Sequence, residues 1–372
     1  MKFAIITQLP HVFQKDNYFA YAPYVREMNV WSKYVDEFII VAPVIQASKT
    51  AIDIPYNLEN SKFVKIANVN LLGFKSICNA ILRMPKISWQ IYKAMKEADH
   101  IHLRCPGNIG LLGCVVQILF PRKNKTAKYA GNWDPKAKQP WSYRLQKWIL
   151  SNTFLTRNMQ VLVYGEWEGS TKNIKSFFTA TYSEVDKVPI KQLDLKEKIN
   201  FVFVGTLAKG KNPMYAIQLL EIVYKKGYNV SLDVYGEGTE RKDLEHYVKI
   251  NNLENIIYLR GNQNRETVMI GYQNSHFVLL PSKSEGWPKA IAEGMFWGCI
   301  PVATPVSCVP YMLDKGERGM LLQMNLEQDV QQLEKILNDA KVFEIKRKKA
   351  SDWSRKYTLD IFEDEIKKML AQ

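Results

Sequence analysis

With 372 residues the chain is too long for one ordinary core and fits two domains. Hydrophobic residues at 47% and charged residues at 24% are globular values, which exclude a disordered or fibrous chain. The formal net charge is +14 and uneven: residues 1–190 carry 25 Lys/Arg against 13 Asp/Glu, residues 191–372 carry 26 against 24. A basic half beside a near-neutral half points to an anionic partner (lipid headgroups, a lipid diphosphate or nucleic acid) or to a merely solvated basic surface. No nucleic-acid-binding module stands out in the sequence, which disfavours the last of these partners. Cysteines at 78, 105, 114, 299 and 308 show no Cys-x-x-Cys spacing and read as reduced core thiols of a cytoplasmic protein.

In chain order, the opening Met1-Lys-Phe-Ala-Ile-Ile-Thr-Gln is too short for a signal-peptide core and reads as a first strand, Phe3–Thr7. Further strands are expected at Glu37–Ala42, Lys62–Val69, His100–Leu103, Thr126–Ala130, Val161–Tyr164 and Phe177–Ala180, with helices near 20–34, 74–97, 108–119 and 140–154. The longest apolar run, Ile109–Phe120, falls short of the roughly 20 residues of a membrane span and reads as a buried helix. Residues 183–198 are polar and aperiodic, as in a linker. The alternation restarts with strands at Phe201–Val204, Val230–Tyr235, Ile256–Leu259, Phe277–Leu280 and Ile300–Val302, between helices near 213–227, 238–250, 265–274 and 288–298. The fold class is therefore α/β, with two doubly wound parallel-sheet domains. Their expected bounds are 1–190 and 191–350, followed by an amphipathic C-terminal helix, 351–372.

The second half carries the sharpest motifs. Val204-Gly205-Thr206-Leu-Ala-Lys209-Gly210-Lys211-Asn212-Pro213 is a strand, a glycine turn, lysines and a Pro-started helix, which suits a phosphate loop. Strand ends at Tyr235-Gly236-Glu237-Gly238 and Arg260-Gly261-Asn262 add two more glycine turns. Then Leu280-Pro-Ser282-Lys-Ser-Glu285-Gly286-Trp287-Pro288-Lys289-Ala290-Ile291-Ala-Glu293 passes from a strand into a helix near Pro288. Such a helix start offers N–H groups to a phosphate. Its two glutamates, eight positions apart, could accept hydrogen bonds from hydroxyl groups on either side of a diphosphate.

This frame resembles the Glu-x7-Glu motif of retaining GT-B glycosyltransferases, family 4. The resemblance implies two Rossmann-like domains facing an interdomain cleft, an acceptor-binding first domain, a nucleotide-sugar-binding second domain, and a tail helix packing back on the first. It implies hexosyl transfer from a nucleoside diphosphate sugar, with retention, to a glycan or lipid-linked acceptor of surface polysaccharide synthesis. No cofactor or metal is implied, since backbone and Lys/Arg charges neutralise the leaving diphosphate, and the chain has no Asp-x-Asp. By resemblance, Glu285 orients the transferred sugar, Glu293 binds the ribose, and Lys211 holds the diphosphate. Thr206 stands where the family has Arg, so Lys209 is the candidate second cation. Gly205, Gly236, Gly261, Ser282 and the run Gly286 to Ile291 complete the donor-binding set. A nucleotide-sugar 2-epimerase of the same fold is the alternative.

In the first half the resemblance is looser. Gln8-Leu9-Pro10-His11 replaces the family's Gly-Gly loop, and no histidine follows Tyr129-Ala-Gly-Asn132-Trp133-Asp134, so Asn132 or Asp134 would take over part of the catalytic histidine's role. His11, Tyr18, Tyr21, His102, Arg104 and Trp133 are the acceptor candidates; the stretch holding Tyr18 and Tyr21 reads equally as a helix burying aromatics. Trp141, Leu145, Trp148 and Ile149, with Arg144 and Lys147 between them, form a stripe that suits either a core face or a membrane interface. The location expected from the cysteines is cytoplasmic; if the basic first half serves to meet a lipid-linked acceptor at the anionic inner membrane face, Arg122, Lys123, Lys125 and Lys128 are the first candidate charges.

Overall fold

The computed structural model of the protein describes every residue except Ala51, Glu59, 70–73 and Gln372, and no side chain of residues 74–78. The chain divides into two compact units, Met1–Phe177 with Glu363–Gln372, and Phe178–Phe362. Residues 178–190 thus cluster with the second unit rather than the first, and the tail segment 351–372 is divided at Phe362.

The first unit runs β1 (Lys2–Ile6), β2 (His11–Gln14), β3 (Asn17–Tyr21), α1 (Ala22–Ser32), β4 (Glu37–Ile45), β5 (Asp53–Pro55), β6 (Ser61–Ile66), α2 (Phe74–Glu97), β7 (His100–Cys105), α3 (Asn108–Val116), β8 (Asn124–Tyr129), α4 (Trp141–Ser151), β9 (Met159–Tyr164) and β10 (Ile174–Phe177). Its sheet has the order β10-β9-β8-β7-β1-β4-β2-β3-β5, with β6 also on β4. From β10 to β4 the pairing is parallel, as the alternation of strands and helices requires. Phe3, Ala4, Ile5 and Ile6 are all fully buried, the apolar continuity expected of a strand covered on both faces. Two segments depart from the sequence expectation. Residues 17–21, for which a helix burying aromatics is one of the two readings, form the second strand of a hairpin with β2, and β5 adds antiparallel to its edge. Phe177–Ala180 is likewise displaced: the strand there is β10, and it ends at Phe177.

The second unit runs β11 (Ile199–Val204), α5 (Pro213–Lys225), β12 (Val230–Tyr235), α6 (Arg241–Ile250), β13 (Ile257–Gly261), α7 (Arg265–Gln273), β14 (Phe277–Leu280), α8 (Lys289–Phe296), β15 (Ile300–Ala303), α9 (Val309–Met312), β16 (Met320–Leu321), α10 (Leu326–Leu337) and α11 (Ala340–Ser354). The sheet order is β13-β12-β11-β14-β15-β16, all parallel. The strand order reverses at β11, which pairs with β12 on one side and β14 on the other. Ligands of open parallel sheets bind beyond the carboxyl ends of the strands at such a reversal. The last helix, α12 (Leu359–Leu370), begins in the second unit and ends in the first. Within the first unit its Glu363 pairs with Lys33 at 2.6 Å and its Glu365 with Lys175 at 2.6 Å.

The four described cysteine side chains are buried and in no disulfide. Cys78 lies outside the residues whose side chains are described. Among the described residues no helix is long and apolar enough to cross a membrane.

Candidate active site

Three glycine turns meet at the carboxyl ends of β11, β12 and β13. The Gly205 N–H donates to Tyr235 O at 3.0 Å, Leu207 N–H to Glu237 O at 3.0 Å, and Gly236 N–H to Gly261 O at 2.9 Å. Gly236 has φ +142°, and a Cβ on it would stand 1.9 Å from Gly205 O. A Cβ on Gly238 would stand 2.3 Å from Leu207 O. These glycines are required because backbone presses on backbone.

On the other side of β11, the Lys283 N–H donates to Gly210 O at 2.8 Å and ties the loop after β14 to the loop after β11. That tie brings Lys211 to Glu285: Nζ lies 2.6 Å from Oε1. Glu285 is buried and Lys211 about one-third exposed, so the pair sits at a rim with its cation toward solvent. Lys209 and Thr206 are exposed on the same loop. Among the described residues Lys209 has no bonded partner. Asn212, at φ +53°, turns the chain into α5, whose first residue is Pro213.

The segment ahead of α8 is held from behind. Gly286 O accepts from Ser307 Oγ at 3.3 Å and Cys308 Sγ at 3.1 Å, and Ser282 O accepts from Thr304 Oγ1. Among the described residues no side chain caps α8. Its first N–H groups have no intrahelical acceptors, so the helix start keeps the capacity for an anion. Not all of the expected donor set faces this end. Ile291 is fully buried in the core, and its N–H is used on Pro288 O at 3.0 Å. Ser282 is fully buried, and its hydroxyl has no hydrogen-bond partner among the described residues. Trp287 is buried against Trp353 and Tyr357, so it supports the loop from below.

Glu293 is one turn inside α8 and already engaged. Its Oε1 accepts from Thr181 Oγ1 at 2.7 Å and its Oε2 from Tyr272 OH at 3.4 Å. Burial raises its carboxyl above the usual range against the opposing pull of those hydroxyls, Lys289 and Arg265. The recess it lines with Thr181, Lys289, Ser354 and Tyr357 has about 10 Å³ of free volume, room for one water. The Thr181 hydroxyl thus occupies the Oε1 side of this carboxylate. Thr181 and Tyr272 carry no local motif, and the chain positions that bring them here are far apart.

The first-unit candidates fare differently. His11 is fully buried, with Nδ1 2.9 Å from Leu9 O and Nε2 2.6 Å from Tyr56 OH. His102 is fully buried with Nδ1 2.8 Å from Thr126 Oγ1, which also meets His100 at 3.0 Å. Burial holds His11 near a pKa of about 4 and His102 near about 3, so both rings are neutral. Trp133 is buried against Tyr129. These three are core groups and cannot touch an acceptor as they stand. Arg104 belongs to an internal cluster: with Lys128 it flanks Glu27, at 3.0 and 2.9 Å. Burial alone would raise Glu27, but Arg104 and Lys128 hold it down at about 2. Tyr18 stacks on Phe63 at 3.8 Å, and Tyr21 is largely exposed on β3. Asn132 Oδ1 accepts from Asp134 N–H and Asp134 Oδ1 from Lys136 N–H, both at 2.8 Å, so these side chains shape the turn after β8. Gln8, absent from the expected set, caps α3 by accepting from the Asn108 and Ile109 N–H groups.

The basic run 122–128 is also mostly internal. Lys125 and Lys128 are buried, and Lys123 donates to Met95 O at 2.8 Å and Lys96 O at 2.6 Å, capping the end of α2. Of the four cations only Arg122 is fully available at the surface.

Known proteins share this fold. The chain is 22% identical to Protein CapJ of Staphylococcus aureus over 319 residues, covering 79% of this chain and 76% of that one. The Anabaena Alr3699/HepE structure in complex with UDP superposes with a TM-score of 0.70 at 14% identity, covering 100% of both chains. The lipopolysaccharide outer core galactosyltransferase WaaB, in its apo form, gives 0.69 at 15% identity, covering 100% of this chain and 99% of that one. Residues 186–357 match the family model described as Glycosyl transferases group 1. The fold is that of the GT-B glycosyltransferases, and the likeness to glycosyl transferases group 1 lies in residues 186–357.

Proposed function

We propose that the protein transfers a hexosyl group from a nucleoside diphosphate sugar to a glycan or lipid-linked acceptor of surface polysaccharide synthesis, with retention at the anomeric carbon and without a metal. One observation carries this reading: Lys211 and Glu285 meet at the strand-order reversal beside the uncapped start of α8. Such an end can take a diphosphate, with the N–H groups of α8 and the Lys211 ammonium on its oxygens. Lys211 then exchanges Glu285 for phosphate, and the freed carboxylate accepts a hydroxyl of the transferred sugar. Charge that grows on the leaving diphosphate is met by groups already in position, which is how such a site lowers a barrier. Glu293 takes the ribose hydroxyls after Thr181 gives way, and the first unit supplies the acceptor contacts, with Tyr21 the candidate that is open to solvent.

UDP is the first nucleotide to test, because Alr3699/HepE was solved with it. A thermal-shift panel of UDP-, GDP- and ADP-sugars selects the donor, since a ligand that binds only the folded state raises its apparent stability. Transfer is then measured with and without excess EDTA. Full activity in chelator is expected; activity abolished by EDTA and restored by Mn²⁺ overturns the metal-free reading. Isomerised nucleotide sugar released without any acceptor identifies a 2-epimerase instead.

A further inference from the structure

The Trp141 stripe is split: Ile149 is buried in the core, while the rest of it faces out. Trp141 is 67% and Trp148 61% exposed, with Leu145 and Arg144 on the same side, while Ser142 and Gln146 of that helix are buried. The helix buries Ile149 and Leu150 on that inner side as well, yet both indoles face out. Large apolar side chains are also exposed on α2, on α3 and just after it. Along α2, Leu82 is 78% and Trp89 56% exposed, opposite the buried Ile87, Ile91 and Ala94, and exposed Lys86 and Lys93 alternate with them. After α3, Leu119 is 66% exposed, so the apolar run expected to be a buried helix is open along one side. Since α3 packs against both α2 and α4, these outward faces belong to one helical layer of the first unit.

We propose that this outer face of α2, α3 and α4 docks the protein on the surface of an anionic bilayer. Monomeric proteins seldom expose several large apolar side chains together, and a patch of this kind marks a partner. Charge chooses the partner. Exposed Arg83, Lys86, Lys93 and Arg144 lie among the apolar groups, and the sequences of α2, α3 and α4 hold a single acid, Glu97, at the end of α2. Indoles and leucines enter the headgroup boundary while Lys and Arg reach anionic phosphates. The face replaces the 122–128 run as the membrane-facing element, because that run spends its cations inside the protein.

The test is co-sedimentation with vesicles of phosphatidylcholine alone and with added phosphatidylglycerol, at low and high salt. The wild-type protein is expected to pellet with the anionic vesicles at low salt. The Trp141→Ala/Trp148→Ala variant should bind roughly tenfold or more weakly at either salt. A Lys86→Gln/Arg144→Gln variant should lose chiefly the salt-sensitive part of the binding. Both variants should keep the wild-type circular dichroism, because the altered side chains lie outside the core. If the double Trp variant does not fold, Trp89→Ala serves in its place. No pelleting with anionic vesicles at low salt, or equal pelleting by wild type and Trp variant, overturns the proposal. So does a wild-type dimer in sedimentation velocity that the Trp variant converts to monomer, which would make the face a contact between copies.

Discussion

Glu285 and Lys211 are each other's counter-charge in the free protein, and this fixes the sign of what each substitution does. Glu285→Gln removes the carboxylate that holds Lys211, so transfer should fall steeply while the nucleoside diphosphate binds as well as before or better. Lys211→Ala removes the cation from the leaving group and should lower turnover by about 100-fold or more, the scale of losing one electrostatic donor. If Glu293 takes the ribose as proposed, Glu293→Gln should instead weaken the nucleoside diphosphate by about 1–3 kcal/mol through loss of a charged acceptor. Calorimetric titration of UDP separates these roles. Equal loss of UDP affinity in Glu285→Gln and Glu293→Gln would refute the division. Thr181→Val bears on the same point, since it removes the hydroxyl that occupies Glu293: UDP affinity should hold or rise, and a large loss would mean that Thr181 itself binds the ligand.

At the scale of elements, the glycine turns are the part of the site most exposed to a small change. Gly236→Ala forces a Cβ into Gly205 O at a backbone angle that side chains avoid. The loops must part, and the second unit should lose roughly 1–3 kcal/mol of stability with a parallel loss of UDP binding. Melting temperature and calorimetry measure both; an unchanged melting point would show that the turns are slack. These turns were legible in the sequence because each follows an apolar strand and carries its glycine. The strands Val230–Tyr235 and Phe277–Leu280 have the bounds that their apolar runs predict. The hairpin β2–β3 was not legible, because Lys15 and Asp16 take positive φ, 49° and 59°, with no glycine to announce the turn. Its aromatics then pass for a helical stripe. The stripe on α4 was legible as a stripe but not as a face: spacing says which residues share a side of a helix, never which side meets the sheet. The contact from Thr181 to Glu293 had no signal at all, since nothing local links the two positions.

At the scale of the whole molecule, buried histidines make the two units unequally sensitive to acid. Burial holds His11, His100 and His276 at about 4 and His102 at about 3, against 6.5 for the free side chain. The unfolded chain therefore takes up protons first as pH falls below 6.5, and stability that is complete above that value is lost on the way down to about 4. Three of these histidines, His11, His100 and His102, lie in the first unit and one, His276, in the second. Glu27, also in the first unit, adds a second loss: its folded value of about 2 lies below the ordinary 4.5, so its contribution is present above 4.5 and disappears as pH falls from there toward 2. At about pH 5 each histidine removes on the order of 1–2 kcal/mol, so the first unit forfeits a large share of a typical domain's 5–15 kcal/mol while the second loses little. Acidification should thus open the first unit before the second. Hydrogen exchange followed from about pH 7 to about pH 5, with rates corrected for the intrinsic pH dependence, reads each unit separately. Protection should fall first in β1 and β9 and persist in β11 and β12. Equal loss in both sheets, or earlier loss in the second, would mean that the buried imidazoles of the first unit do not govern its acid stability.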